Sequence, residues 1–317
     1  KWDDLKARLS ERIHFGTAGL RGKMGAGFSL MNELTVIQTT QGLLRYILSS
    51  FKDKNEPLSV VIGYDARHQS HRFARLAAAL FAHEQFHVYL FDSMTVPTPL
   101  ISFSVQKLKC HAGLMITASH NPKEDNGYKV YWQNGAQIIS PIDVEIAKSI
   151  EANLEPWKDK AWQLDILNEN NSTQCISDPW EKIIDLYIFE ITKLSYFSQL
   201  NEKSSLKFVY TPVHGVGQPY AERAFAAFRF APFISVDEQK SPDAEFPTVK
   251  FPNPEEGTET LACAMRTADE HRADFILSTD PDADRFAIAE RESKEDKNNE
   301  WRIITGNQLG ALLGKID

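Results

Sequence analysis

Apolar residues recur along this chain with two alternating periods, and the alternation predicts its architecture. Ile37, Leu44, Ile47, Leu48 and Phe51 fall at helical spacing, and the β-branched run Val60, Val61 and Ile62 then reads as a short strand ending at Asp65. Ser70 is placed to cap a second helix with Phe73, Leu76, Ala77 and Leu80 on one face, and a strand follows over 88–91. Pro97 and Pro99 punctuate the next helix start, and residues 112–116 read as a buried strand. Helices alternating with such strands imply an α/β layer with a mostly parallel sheet.

The order then changes. Residues 128–132 and 136–139 flank Asn134-Gly135, a dipeptide suited to a type I′ hairpin turn, so the first sheet is expected to be mixed. Polar residues dominate 153–177, which predicts a surface connection before Asp178 caps a helix with Pro179 at its first position, ending near Leu194. A second unit opens with a strand over 207–210, a helix over 219–228 and a strand over 233–236. The next loop holds Pro242, Pro247, Pro252 and Pro254 and is expected to be irregular, before a helix from Glu259 and a strand over 275–277. Residues 292–300 form a charged excursion, expected to be a hairpin tip, and no internal sequence repeat is visible.

Composition narrows the classes. A chain of 317 residues, 42% hydrophobic, can bury one or two ordinary cores. Its net charge of -8 and pI near 5.7 argue against nucleic acid and anionic membrane as partners, because both select basic surfaces. An anionic substrate must then be held by local charges. Cys110, Cys175 and Cys263 lie far apart, leave one unpaired in any disulfide scheme and form no zinc spacing, which fits a reducing cytoplasm. No stretch approaches the apolar length of a membrane span, and Lys1-Trp2-Asp3-Asp4 lacks the basic and apolar regions of a signal peptide. The absent initiator Met and the abrupt end at Asp317 are expected of a cut fragment.

Three segments carry candidate chemistry. Asp280-Pro281-Asp282-Ala283-Asp284-Arg285 follows an expected buried strand and spaces three carboxylates at alternate positions, so all three can converge on one hard cation such as magnesium. The same six residues also read as a solvated acidic turn, or as a phosphatase loop with an aspartyl nucleophile. Calcium sensing is excluded, since an EF-hand loop wants Gly at its sixth position and Glu at its twelfth, where Arg285 and Arg291 stand. Thr117-Ala118-Ser119-His120-Asn121-Pro122 closes the strand over 112–116, where open α/β sheets place ligands, and it lacks the Gly-x-Ser-x-Gly of a hydrolase elbow. Lys129 lies a few residues on, either as an exposed hairpin lysine or as an ammonium brought back beside Ser119 to transfer protons. Phe15-Gly16-Thr17-Ala18-Gly19-Leu20-Arg21-Gly22 offers small residues and an arginine fork for phosphate, or a plain glycine-rich turn, and it is not a P-loop.

These segments, in this order and with Thr211-Pro212-Val213-His214-Gly215-Val216-Gly217 before the last, resemble the α-D-phosphohexomutase family, and look most like its phosphoglucomutase-2 branch. That branch includes phosphopentomutase and glucose-1,6-bisphosphate synthase activities. The resemblance implies two consecutive mixed-sheet α/β domains from the N-terminal part of a four-domain enzyme: a phosphoserine domain over 1–200, a metal-binding-loop domain over 201–304, and the start of a third over 305–317. It implies a phosphoserine at Ser119, Mg²⁺ held by Asp280, Asp282, Asp284 and a Ser119-phosphate oxygen, and proton transfer by Lys129. Arg21, Arg285 and Thr17 would bind phosphate, and His120 and His214 would shape the site. The implied reaction moves a phosphoryl group between C1 and the terminal hydroxyl of glucose phosphate or ribose phosphate, with glucose 1,6-bisphosphate as activator. The alternatives are a glucose-1,6-bisphosphate synthase, a magnesium-dependent sugar phosphatase, and an inactive fragment that only binds sugar phosphate.

Overall fold

The chain folds as two units, one of Lys1–Ala118 with Lys123–Ile183 and the other of Ser119–Pro122 with Ile184–Asp317. The computed structural model describes residues 1–52, 57–168, 176–256, 258–291 and 301–314. Among these, no helix is long and apolar enough to cross a membrane.

The first unit runs α1 (Trp2–Ser10), β1 (Leu20–Lys23), α2 (Glu33–Ser50), β2 (Ser59–Tyr64), α3 (Ser70–His83), β3 (His87–Leu90), α4 (Thr98–Lys107), β4 (Ala112–Ile116), β5 (Asp125–Trp132), α5 (Ile142–Glu151) and β6 (Ile176–Ser177). Its six-stranded sheet has the order β1-β5-β4-β2-β3-β6. Strands β4, β2, β3 and β6 run parallel, whereas β5 is antiparallel to both β4 and β1. Every residue of β2 and β4 is buried, as near-continuous apolar runs in a covered parallel sheet should be. Helix α2 starts at a capping box, in which Asn32 Oδ1 accepts the Thr35 N–H at 3.1 Å and Thr35 Oγ1 accepts the Asn32 N–H at 3.0 Å. Its Ile37, Leu43, Leu44 and Ile47 are fully buried, each contributing roughly 1.5–3 kcal/mol of transfer free energy.

Two local expectations are corrected. Ser70 is not the cap of α3: Gln69 holds that position with φ 64°, and the Ser70 hydroxyl donates instead to Asp65 Oδ1 at 2.7 Å. A buried carboxylate competes successfully for the hydroxyl that would otherwise satisfy the helix end. The Asn134-Gly135 turn exists, yet only Gly135 takes a positive φ, 75°, and Trp132 N–H donates to Ala136 across three intervening residues. A three-residue loop with a left-handed glycine replaces the type I′ turn, gripped by Gln106 Nε2, which donates to the Asn134 carbonyl at 2.7 Å.

Helix α6 (Trp180–Thr192) joins the units, and the Trp180 N–H donates to Asp178 Oδ1 at 2.9 Å, the expected cap. The second unit continues with α7 (Ser198–Glu202), β7 (Phe208–Thr211), α8 (Gln218–Ala227), β8 (Ile234–Ser235), α9 (Thr258–His271), β9 (Phe275–Thr279), β10 (Phe286–Arg291), β11 (Trp301–Ile304) and α10 (Gly306–Leu313). Its sheet order is β11-β10-β9-β7-β8, with β9, β7 and β8 parallel and β10 antiparallel to its neighbours. Both sheets are therefore mixed, and both units are α/β. Val209, Val236, Leu261, Ala264 and Ile276 centre the second core. The charged excursion at 292–300 and Cys175 lie outside the described residues, although Arg291 and Trp301 on either side of the excursion are paired. Cys110 and Cys263 are buried free thiols, and burial pushes the Cys110 thiol up to about 12, which leaves it unreactive at neutral pH.

Candidate active site

The second unit gathers the acidic turn and the serine loop. Strand β9 delivers Asp280 from its C-terminal end, and the turn closes where the Ala283 N–H meets the Asp280 carbonyl at 2.9 Å, with Ala283 at φ 53°. Asp280 and Asp282 are fully buried and Asp284 is exposed, and one oxygen from each lies within 4.8 Å of the others. Burial, then the charges of Asp282 and Asp284, hold the Asp280 carboxyl well above the usual carboxylate range. Like charges crowded in a desolvated turn are costly unless a cation joins them, and an all-oxygen donor set suits a hard divalent ion. The residues therefore fit the cation that the sequence implied.

Ser119 meets this turn directly. Its Oγ donates to Asp280 Oδ2 at 2.7 Å, while the Arg285 backbone N–H donates to Asp280 Oδ1 at 3.0 Å. Each carboxylate oxygen of Asp280 thus accepts one hydrogen bond and keeps a lone pair for a cation. Ser119 is buried and sits at φ 54°, a left-handed conformation that costs a non-glycine residue about 1–3 kcal/mol and is kept where the surroundings impose it. Its Oγ also lies 3.3 Å from His120 Nδ1, on a half-buried ring.

The loop after β7 braces the acidic turn from below. Val213 and His214 are both left-handed, at φ 48° and 60°, an unusual state for a β-branched valine. His214 is buried, its Nε2 pairs with Thr248 Oγ1 at 2.7 Å, and burial lowers its pKa, so a neutral ring fixes this loop. Gln239 completes the brace by donating to Thr248 Oγ1 at 2.9 Å and accepting from Thr211 Oγ1 at 2.7 Å. The Val216 N–H then donates to the Pro281 carbonyl at 2.9 Å. A Cβ on Gly215 would lie 2.3 Å from Pro281 Cα, so only glycine lets the two backbones touch. Gly215→Ala should accordingly cost about 1–3 kcal/mol through forced backbone displacement. Thermal unfolding checks it, and an unchanged midpoint would mean that the turns have room to spare.

Three of the anticipated residues belong to the first unit. Arg21 is half-buried on β1 opposite Gly127, and Lys129 is buried on β5 opposite Met115, so the exposed-hairpin alternative for this lysine fails. Thr17 is exposed at the tip of a turn closed by reciprocal Gly16 and Gly19 backbone bonds. Gly19, at φ 72°, would place a Cβ 1.8 Å from the Tyr128 carbonyl oxygen. Sequence reasoning missed the residue that anchors the start of the serine loop. Buried Asp65 accepts from Thr117 Oγ1 and from Ser70 Oγ, each at 2.7 Å, and lies 3.3 Å from Arg67 Nε. Burial raises its carboxyl pKa against the opposing pull of Arg67. An Asp two residues before an Arg was the available signal.

Both stretches of the chain have relatives among known proteins. Residues 12–157 match the model for phosphoglucomutase/phosphomannomutase, alpha/beta/alpha domain I, and residues 185–294 match domain II. Phosphopentomutase of Mus musculus is 49% identical over 318 residues, covering 98% of this chain and 50% of that protein. Glucose 1,6-bisphosphate synthase of Homo sapiens is 48% identical over 317 residues, covering 98% and 49%. The chain thus spans about half the length of these relatives. A phosphoglucomutase/phosphomannomutase family protein of Burkholderia thailandensis, 20% identical, shares the fold over 92% of this chain and 55% of its own with a TM-score of 0.67. With both domain models matched in order and the serine loop joined to the acidic turn, the chain belongs to the phosphohexomutase family.

Proposed function

We propose that this chain carries the phosphoserine and cation half of a sugar-phosphate mutase, with glucose phosphate and ribose phosphate as substrates. The observation that carries the reading is the 2.7 Å bond from Ser119 Oγ to Asp280, which unites a hydroxyl nucleophile with a carboxylate triad 161 residues away. Asp280, Asp282 and Asp284, with a Ser119-phosphate oxygen, would hold Mg²⁺, which when bound draws charge from the phosphoryl group. Ser119 passes its phosphoryl group to a sugar hydroxyl: the new P–O bond forms as the bond to Oγ breaks, and Lys129 takes the hydroxyl proton. Arg21 and Arg285 steady the equatorial oxygens, Thr17 adds a hydroxyl contact, and His120 and His214 shape the loops. The bisphosphate so formed then returns its other phosphate to Ser119, and glucose 1,6-bisphosphate serves as activator by the same route.

In this reading residues 1–200 form the phosphoserine domain, 201–304 the metal-loop domain, and 305–317 begin a third. The relatives' doubled length supports assigning sugar and distal-phosphate recognition to chain beyond these residues. Two buried free thiols and an acidic surface fit a cytoplasmic protein acting on small molecules. Glucose-1,6-bisphosphate synthesis is the second reading, supported by a relative of that name at 48% identity beside the 49% of the phosphopentomutase.

Asp282→Asn tests the cation site, because the amide keeps an oxygen ligand and the shape while removing one charge. Calorimetry should show Mg²⁺ bound at least severalfold more weakly. Unchanged affinity would take the triad out of the metal site.

A further inference from the structure

The proline-rich loop between β8 and α9 ends on a side chain that reaches the acidic turn's arginine. Pro252, Asn253 and Pro254 are buried, and a short 3₁₀ turn over Pro254–Glu256 follows, its start fixed where the Glu255 N–H meets Asn253 Oδ1 at 3.3 Å. The Thr260 hydroxyl of α9 ties the loop further by donating to the Phe251 carbonyl at 3.3 Å. From this fixed base Glu255 Oε2 accepts from Arg285 Nη1 at 3.0 Å. Both side chains are partly exposed, 35% for Arg285 and 43% for Glu255, and a pair this wet adds little to fold stability. Its value has to lie in where it holds the guanidinium.

Arg285 directly follows Asp284, and its own backbone N–H already bonds Asp280 Oδ1. Arg285 starts one residue after Asp284, so a guanidinium released by the loss of Glu255 has the three carboxylates beside its own backbone to turn to. Folded onto them it would neutralise the donors and compete with a metal ion for their oxygens. We infer that Glu255 is a positioning residue that holds the Arg285 guanidinium clear of the acidic triad and so keeps the carboxylates open to a divalent cation. The pair engages one terminal nitrogen of five N–H donors, which leaves the fork able to meet a phosphoryl oxygen as well. The inference rests on the magnesium reading of the triad.

A double-mutant cycle read by Mg²⁺ calorimetry tests it on the whole chain. Glu255→Ala should weaken Mg²⁺ binding about three- to thirtyfold, the range expected of directly coupled side chains. In the Arg285→Ala background the same Glu255→Ala change should have no further effect, because there is no guanidinium left to collapse. An equal loss in both backgrounds would mean that Glu255 acts only as a distant negative charge, and no loss in the single variant would show that Arg285 needs no holding. Either result overturns the inference. A large fall in melting temperature for Glu255→Ala would overturn it too, since the pair would then be a fold contact. Failure of the wild-type chain to bind Mg²⁺ would instead remove the cation reading itself.

Discussion

Ser119→Ala is expected to gain no phosphate on incubation with glucose 1,6-bisphosphate, where the wild-type chain gains one that withstands acid. The loss should be complete, because the variant removes the only atom that accepts the group in the proposed cycle. Alanine adopts the left-handed conformation of Ser119 about as well as serine does, so backbone strain changes little. What is lost includes the bond to a buried carboxylate, on the order of 1–3 kcal/mol against a usual stability of about 5–15 kcal/mol, and the weaker His120 contact. The fold should therefore survive, and intact-mass measurement decides. A phosphate found on the variant would place the nucleophile elsewhere, and one on the wild type that hydroxylamine removes would place it on a carboxylate.

Lys129→Met should slow phosphoryl transfer by about two to four decades while leaving sugar-phosphate binding nearly unchanged, the signature of a group that moves a proton in the transition state. Methionine fills nearly the same volume, so the buried stem between β4 and β1 keeps its packing. Steady-state kinetics on a chain that includes the remaining length of its relatives separates kcat from KM. A rise in KM with kcat preserved would make Lys129 a phosphate holder and leave the proton without a named carrier.

What the sequence disclosed follows from how local each signal is. Asp280, Asp282 and Asp284 announce themselves because alternate spacing on one turn is enough to bring three oxygens together. Strands β2 and β4 were legible for a similar reason, as their apolar runs are short, buried and bounded by turn residues, and β9 is buried at alternate positions. Ser119 was weaker, since the residue that gives it meaning lies 161 positions away. Helix α1 escaped because none of its residues is buried, so no core face marks it out. Ser70 misled because its hydroxyl had two possible partners, the N–H donors of the helix end and the Asp65 carboxylate, and the sequence does not say that Asp65 lies within reach. Gln239, Thr248 and Glu255 gave no sign at all, for each acts through tertiary side-chain contacts made from an irregular loop.

The two sheets repeat one plan. In chain order, β2, α3, β3, α4, β4 and β5 correspond to β7, α8, β8, α9, β9 and β10, with the same neighbours and the same switch from parallel to antiparallel. The edges differ: one is filled by β1 from upstream in the first sheet and by β11 from downstream in the second, and β6 extends the first sheet beyond β3. The serine loop leaves β4 for β5, and the acidic turn leaves β9 for β10, so the nucleophile and the carboxylates occupy the same connection of two copies. In terms of descent, a duplicated ancestor would need to diverge at a single loop to acquire both halves of the chemistry. The two units share no visible sequence repeat, so the likeness lies in the strand order.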